Sequence, residues 1–217
     1  MQVPRLKQPK KFVFSRQGPE ISDDLPACGD LVEYLVEQHV TGADWRGRKA
    51  AELRVEGSVL ERVCLADCKF GSITMKDVRL VGCELSNLSA HGMSLTRVEF
   101  IDCRMTGLSG GDVEGLNVLI REGDQRYCQI RASRFKGAEF DGCNFEEADF
   151  QGTDFSGSIF RRCNLRNVEM GKAKLFDADL RGSMVEGLHI APEGLRGAVA
   201  DPAQAMIFAL LLGIRIE

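Results

Sequence analysis

The segment Phe135–Leu165 reads FKGAEFDGCNFEEADFQGTDFSGSIFRRCNL, and it places a phenylalanine or a leucine at every fifth residue. A small residue such as Ala138 or Cys143 stands two positions before a large one. The large residues keep this phase between Trp45 and Leu195, with a weak interval around 106–129. An α-helix buries residues at a spacing of about 3.6 and a strand at about 2, so neither explains a period of five over this length.

Two inward residues separated by one outward residue form a short extended piece, because side chains alternate between the two sides of a strand. The remaining residues of each repeat are often glycine or polar, and they must turn the chain. Gly137, Gly142, Gly152 and Gly157 suit corners that need an unusual backbone conformation. A coil of such units cannot bury its apolar side alone, so successive coils must stack. The repeat therefore predicts a solenoid of short strands.

The repeat also contains a recurring tripeptide, Ala or Cys followed by Asp or Asn and then Phe or Leu. It is seen as CNF (143–145), ADF (148–150), CNL (163–165) and ADL (178–180). This motif resembles the pentapeptide-repeat family over roughly residues 43–197. The resemblance implies an all-β fold, a right-handed quadrilateral parallel β-helix with four pentapeptides in each coil. Left-handed hexapeptide β-helices, the nearest alternative, need a period of six that this chain lacks.

Residues 1–42 are predicted to form an N-terminal capping segment. They contain a short extended piece, KFVFSR, and the amphipathic segment DLVEYLVEQHV. The second segment begins at Asp30, a residue type that is favoured at helix N-caps, and we expect it to form a short helix. The helix would cover the first coil, whose open backbone edge would otherwise invite aggregation.

Residues 198–217 are predicted to form a C-terminal helix and a short final strand. Asp201 suits the N-cap, Pro202 the first helical position and Gly213 the residue that ends the helix. The helix is apolar on every side, so it needs more than one covering surface, and an isologous homodimer supplies the second. The residues expected to form the dimer contact are Met206, Ile207, Phe208, Leu210, Leu211 and Ile214.

The register of the repeat weakens between about residues 106 and 129. The central positions there are Gly110, Gly115, Ile120 and Gln125, of which only Ile120 is a normal core residue. Because the phase returns unchanged, two readings stay open. The chain either projects a loop around Arg121–Tyr127, or these coils are poorly filled.

Composition limits the classes of function. The chain has 217 residues, 44% of them apolar and 28% charged, and a formal net charge of −4. A general nucleic-acid binder would normally be basic, so we expect no direct contact with nucleic acid. The N-terminal sequence lacks the apolar stretch of a signal peptide, and the apolar run Ala205–Leu212 is too short to cross a bilayer. We expect a cytoplasmic protein without a membrane contact.

The polar and sulfur-containing residues follow the repeat rather than a catalytic pattern. Six of the eight cysteines occupy the small inward position, and no C-x-x-C motif is present. His39, His91 and His189 show no metal-ligand or triad spacing. The segment GGDVEG lacks the lysine and the strand–helix context of a phosphate-binding loop. We therefore expect no enzymatic activity, catalytic residue, metal ion or cofactor.

One surface feature exceeds what the repeat requires. No lysine or arginine occurs between Lys136 and Arg161, a span slightly longer than one coil, and basic residues cluster on both sides of it. All of its acidic side chains are expected to point outward, where they could solvate the surface or bind a basic partner. The acidic residues predicted to bind are Glu139, Asp141, Glu146, Glu147, Asp149 and Asp154.

The family resemblance suggests what such a partner would be. Several pentapeptide-repeat proteins bind type II topoisomerases and protect bacteria from quinolones or gyrase poisons, and an apolar C-terminal helix with a short strand accompanies that role. The resemblance therefore implies a DNA mimic that binds DNA gyrase or topoisomerase IV. The alternative is a structural interaction scaffold with an unrelated partner, which the near balance of charge in the repeat region favours.

Overall fold

The computed structural model describes residues 29–211 and 213–215, and it shows a parallel β-solenoid followed by one helix. The solenoid of short strands predicted from the period of five, and the parallel β-helix that the family resemblance implies, are confirmed. The strands are β1 (Gly29–Val36), β2 (His39–Thr41), β3 (Lys49–Glu56), β4 (Val59–Glu61), β5 (Lys69–Val81), β6 (Ser89–Ile101), β7 (Ser109–Gly111), β8 (Val113–Leu116), β9 (Leu119–Arg121), β10 (Gln129–Arg131), β11 (Arg134–Lys136), β12 (Glu139–Asp141) and β13 (Ile159–Arg161). A 3₁₀ helix (Pro192–Leu195) and the α-helix α1 (Pro202–Leu211) follow.

The strands pair in parallel with a constant offset of one coil. Phe140 of β12 lies opposite Ile120 of β9 and Phe160 of β13, so each residue stacks on the residue 20 positions away. This offset equals four pentapeptides, and each pentapeptide occupies one face of the coil. Isolated bridges continue the same register outside the named strands. One such ladder joins Asp44, Cys64, Glu84, Arg104, Asp124, Asn144, Asn164 and Met184.

The core is a set of stacked columns of large side chains. The rings of Phe135 and Phe155 lie parallel with their centroids 5.2 Å apart, and those of Phe140 and Phe160 stack at 4.7 Å. Within one coil, the ring of Phe150 contacts that of Phe155 edge to face, with their centroids 5.2 Å apart. Both geometries are the favoured arrangements of aromatic pairs. The phenylalanine columns therefore fix the stacking of the C-terminal half.

The corners between faces require a left-handed backbone. Gly142 has φ +69°, and the equivalent corner residue of the next pentapeptide, Glu147, has φ +56° although it carries a side chain. Residues other than glycine adopt this conformation at a cost. The corner amides compensate by donating to the next coil, from Gly142 to the carbonyl of Arg161 at 2.8 Å and from Glu147 to that of Arg166 at 3.1 Å.

The helix predicted within DLVEYLVEQHV is wrong, because the structure places two strands there. β1 pairs with β3 in parallel, and β2 pairs with β4. Leu35 is buried with 2% of its surface exposed, whereas its neighbour Tyr34 is 59% exposed, which is the alternation of a strand. Leu35 and Val40 continue the period of five, so the solenoid extends beyond the predicted boundary at residue 43. The KFVFSR segment lies outside the described residues.

The weak interval forms regular coils, so the projecting loop considered for Arg121–Tyr127 is wrong. β7, β8 and β9 keep the ladder register with β6, and Asp124 pairs in the same register with Arg104 and Asn144. Neighbouring side chains fill the space left by two glycines. A Cβ atom on Gly115 would lie 2.5 Å from the ring of Phe135, and one on Gly110 would lie 3.1 Å from the terminal methyl of Met93. Large residues from adjacent coils therefore replace the missing core residues.

The C-terminal helix begins and ends at the predicted residues. Asp201 and Gln204 form a reciprocal cap, in which the Gln204 amide donates to Asp201 Oδ1 and the Asp201 amide donates to Gln204 Oε1, both at 3.0 Å. Gln204 also donates from Nε2 to the carbonyl oxygens of Leu180 and Ser183, which fastens the helix to the last coil. Gly213, with φ +75°, follows the helix as the sequence predicts. Ile214 and Arg215 form no strand.

The two inward positions of the repeat should differ sharply in their contribution to stability. We expect Phe150→Ala to lower the free energy of unfolding by about 3–5 kcal/mol, because it removes a buried ring between Phe145 and Phe155 and leaves a cavity. Cys143→Ala should cost about 1 kcal/mol or less, because alanine already fills the equivalent position at 138 and 148. Chemical denaturation of both variants measures the difference. Equal losses would contradict the two-position account of the core.

Candidate interaction surface

The six acidic residues form a girdle around one coil. Glu139 and Asp141 belong to β12, Glu146 and Glu147 occupy the next corner, and Asp149 and Asp154 follow on two further faces. None of the six side chains is buried, so the predicted outward orientation is confirmed. Their role in binding stays a prediction. Because the girdle encircles the coil, no single face carries all six charges.

Arginines from the neighbouring coils pair with half of these carboxylates. Arg131 Nε lies 2.8 Å from Asp149 Oδ2, and Arg161 Nη1 lies 2.9 Å from Glu139 Oε1. Arg162 Nη2 lies 2.6 Å from Asp141 Oδ1 and 3.3 Å from Glu122 Oε1. Hydrogen bonding and charge from the carboxylates raise the pKa of Arg131 and of Arg162. The basic clusters at the two ends of the girdle therefore reach across the coils and neutralise part of it.

Asp154 lies between two cationic residues and beside a hydroxyl group. Its backbone pairs with those of Arg134 and Lys174 on the preceding and following coils, and the charges of these residues act on its carboxylate without a salt bridge among the described residues. Burial acts to raise the pKa of Asp154, but hydrogen bonds from the hydroxyl and the amide of Ser156, at 2.6 and 3.0 Å, and the charges of Lys174 and Arg134 together outweigh it. The pKa of Asp154 is lowered as a result, so this carboxylate stays charged at neutral pH.

Glu146 and Glu147 form the corner of the girdle that lies outside the ion pairs. Neither forms a salt bridge with another residue in the part of the chain that the structure describes. The Arg126 guanidinium is bound to Asp124 through two contacts of 2.9 and 2.8 Å. Asp124 is the main cause that raises the pKa of Arg126, and the charge of Glu146 adds only a small contribution. This corner therefore carries two of the three girdle carboxylates that lie outside the salt bridges of the described residues, the third being Asp154.

Several exposed apolar residues cluster on the C-terminal helix and just after it. Met206 and Leu210 have 55% and 59% of their surface exposed, and Leu211 and Ile214 are also exposed. Ile207 and Phe208 instead pack against the solenoid core. The structure thus divides the six predicted dimer residues into four that face solvent and two that fix the helix to the rod. No helix among the described residues is long and apolar enough to cross a membrane.

The cysteines serve the core. The six cysteines predicted at the small inward position are all buried, and five of them, all but Cys128, contact backbone carbonyls through their thiols, as Cys83 Sγ does with Leu60 O at 3.3 Å. Burial raises the pKa of Cys128, which keeps its thiol protonated and unreactive. No group of three or more potential metal ligands occurs among the residues that the structure describes. His189 instead pairs with Glu169 one coil away, at 2.6 Å.

Sequence reasoning missed the arginine pairs that cross between coils, although a pattern for them exists. The paired residues are 18 positions apart for Arg131 and Asp149, and 22 apart for Glu139 and Arg161. Once a coil is known to consist of four pentapeptides, opposite charges separated by about one coil of sequence become neighbours. The contiguous acidic span therefore gave an incomplete account of the surface charge.

The comparison with protein families identifies the repeat. The family model for pentapeptide repeats matches residues 127–162 and 143–182, with eight copies of the repeat. No curated protein matches the chain. The matched region coincides with the part of the solenoid that carries the phenylalanine columns and the acidic girdle.

One solved structure shares the fold at low sequence identity, and two others are similar to a smaller extent. A trypsin-treated variant of QnrB1, a plasmid-mediated fluoroquinolone resistance protein, is 18% identical with a TM-score of 0.60, and the match covers 86% of this chain and 98% of that one. Full-length QnrB1 is 15% identical with a TM-score of 0.41, covering 84% and 100%. HetL, a pentapeptide-repeat protein involved in heterocyst differentiation regulation in the cyanobacterium Nostoc, is 16% identical with a TM-score of 0.27, covering 78% and 88%.

Proposed function

We propose that this chain, which is a pentapeptide-repeat protein, binds a type II topoisomerase as a non-catalytic DNA mimic and modulates it or protects it from gyrase-targeting antibiotics. The partner would be DNA gyrase or topoisomerase IV. The observation that carries the proposal is a stiff rod of stacked coils with a girdle of outward carboxylates on the fold shared with a fluoroquinolone resistance protein. The rod supplies shape and the girdle supplies charge, the two properties that a DNA-binding surface recognises.

The corner formed by Glu146 and Glu147 is the centre of the proposed contact. A basic surface gains most from carboxylates that lack a partner, because an ion pair already present must first be exchanged. Asp154 adds a carboxylate that stays charged, and Asp149 would contribute if Arg131 moved aside. Such a contact would be steered by charge and would weaken as salt rises.

The C-terminal helix would complete the binding unit as a homodimer. Met206, Leu210 and Leu211 of α1, and Ile214 just after it, are exposed apolar residues. Pairing this surface with a second copy would remove it from water around a two-fold axis. A symmetric pair of rods would then meet a topoisomerase, which is itself symmetric, through two equivalent girdles.

The second candidate is an interaction scaffold whose partner is not a topoisomerase. The paired charges of Glu139, Asp141 and Asp149 favour it, because a mimic of DNA needs net negative charge over an extended surface. Both candidates are non-enzymatic binding proteins. They differ in whether the girdle binds a basic surface.

A supercoiling titration distinguishes the two. We expect the wild-type protein to inhibit gyrase supercoiling, and the variant E146Q/E147Q/D149N/D154N to inhibit about tenfold less at low salt, because four charges of the contact are lost. All four residues lie at the surface, so the fold should persist. The experiment is repeated at moderate salt, where the difference between the two proteins should shrink.

A matched variant controls for the loss of charge. The variant D44N/E56Q/D67N/E99Q removes four carboxylates at equivalent positions of the repeat but away from the girdle. Asp67 is a corner residue with positive φ, as Glu147 is. Glu99 is paired with an arginine, as Asp149 is. It should inhibit as the wild type does. Inhibition by all three proteins alike would reject the girdle as the contact. Absence of inhibition by the wild type would favour the scaffold.

The helix predicts a specific oligomeric state. The wild type should sediment as a dimer at micromolar concentration, and M206D/L210D should be a folded monomer, because both residues face solvent rather than the core. L116D/M184D, which alters two exposed apolar residues of the rod, should remain dimeric. Analytical ultracentrifugation of the three proteins tests this. A wild-type monomer would contradict it.

A further inference from the structure

A groove of about 450 Å³ lies on the last coil, between the residues around 174 and the 3₁₀ helix Pro192–Leu195. Its walls and floor include Ala173, Leu175, Ala191 and Gly194, which are small or apolar. Charged side chains and one aromatic ring stand around it. They are Lys172, Lys174, Phe176, Glu193 and Arg196.

The hydrogen-bond ladder is broken on one side at the groove. The amide of Lys174 donates to the carbonyl of Thr153 on the preceding coil at 3.0 Å. The amide of Gly194, at the equivalent position of the last coil, instead donates to Ala191 within the 3₁₀ helix at 2.9 Å. The opposite bond of the ladder persists, because the amide of Leu175 donates to the carbonyl of Gly194 at 2.9 Å, and pairing in both directions resumes at Val199. The last coil therefore departs at the 3₁₀ helix from the flat face that the other coils keep.

Phe176 is the most exposed phenylalanine of the described residues, with 56% of its surface in contact with solvent. Its ring packs on the backbone of Gly197, where a Cβ atom would lie only 2.8 Å from ring atom Cδ2. Gly197 thus allows the ring to lie against the chain beside the groove. An aromatic ring that is held in place yet exposed is the kind of residue that dominates binding at protein interfaces.

The cationic side chains of the groove differ from those of the acidic girdle. Among the described residues, Lys172 and Arg196 form no salt bridge, and Lys174 acts on Asp154 only through its charge. The arginines at the girdle are instead bound to carboxylates one coil away. With Glu193 as the single acidic residue of its lining, the groove combines unpaired positive charge with an apolar surface.

We propose that this groove binds an acidic segment of a protein partner, one that places an aromatic or bulky apolar side chain against Phe176 and carboxylates beside Lys172, Lys174 and Arg196. Charge complementarity selects this occupant. The volume fits a few side chains of a peptide rather than a nucleic-acid duplex, and the chain as a whole is negatively charged. Residues 1–28 of this chain contain five basic and three acidic residues, so they are a poor electrostatic match.

This proposal goes beyond the contact with a topoisomerase and does not depend on it. The acidic girdle would bind a basic surface, whereas the groove binds an acidic one. A protein with both could hold two different surfaces of one partner or two partners along one rod. Direct binding of a peptide to the groove tests the second surface alone.

The probe is a fluorescein-labelled pentapeptide, Glu-Glu-Trp-Glu-Glu, and binding is measured by fluorescence anisotropy. The same peptide with glutamine in place of glutamate, and a single-stranded oligothymidine of similar length, serve as comparison probes. We expect the acidic peptide to bind wild type about tenfold more tightly than the glutamine peptide, with weaker binding at higher salt. K172Q/K174Q/R196Q and, separately, F176A should each reduce its affinity by about tenfold.

The matched control is R62Q/R104Q/R121Q. Arg62 is a corner residue with positive φ like Lys172, and Arg104 and Arg121 occupy the same positions of the repeat as Lys174 and Arg196, away from the groove. This variant should bind the acidic peptide as wild type does, and thermal unfolding should show that every variant is folded. The proposal is overturned if the groove variant binds the peptide unchanged, if wild type does not bind it, or if the oligothymidine binds equally well.

Discussion

The stacking of each pentapeptide on the equivalent pentapeptide of the next coil is the constraint on which the other features depend. It aligns Phe135 with Phe155 and Phe140 with Phe160, so that rings meet rings along the rod. It directs the corner amides to carbonyl groups of the next coil, which offsets the left-handed backbone at residues such as Glu147. It also places arginines beside the carboxylates of the neighbouring coil. Core, corners and surface charge thus follow from one register.

The coils could be predicted from the sequence because the period of five repeats many times and leaves few alternatives. The first coil could not, because DLVEYLVEQHV satisfies the spacing of a helix as well as that of the repeat, and it begins with a residue type favoured at helix N-caps. Leu35 and Val40 are in phase with the repeat. The segment forms strands rather than a helix because it pairs with β3 and β4 of the neighbouring coil. The weak coils at Gly110 and Gly115 depended on side chains from adjacent coils, which a local pattern does not show.

The candidate surface was predictable in part, for the same reason. The outward position of all six carboxylates follows from their place in the repeat. Whether a carboxylate forms a salt bridge depends on whether an arginine of another coil reaches it. Arg162 reaches Asp141, whereas no arginine pairs with Glu146 or Glu147 among the described residues. The groove beside Phe176 lies where the 3₁₀ helix breaks one side of the ladder. Departures from the regular ladder therefore mark the places where this rod has surface chemistry of its own.

Removal of one coil tests the central claim most directly. Deletion of the segment 66–85 removes four whole pentapeptides and joins Leu65 to Ser86, so every inward and outward position is restored. We predict that this variant unfolds cooperatively with the β-sheet circular dichroism of the parent, because a solenoid is stabilised by contacts between adjacent coils. Deletion of the segment 66–83 removes 18 residues, which is not a multiple of five. Leu85 and the central residues after it then fall out of phase with the preceding coil, so this variant should lose the fold. Equal thermal stability of the two deletion variants, or loss of the fold in both, would contradict the account.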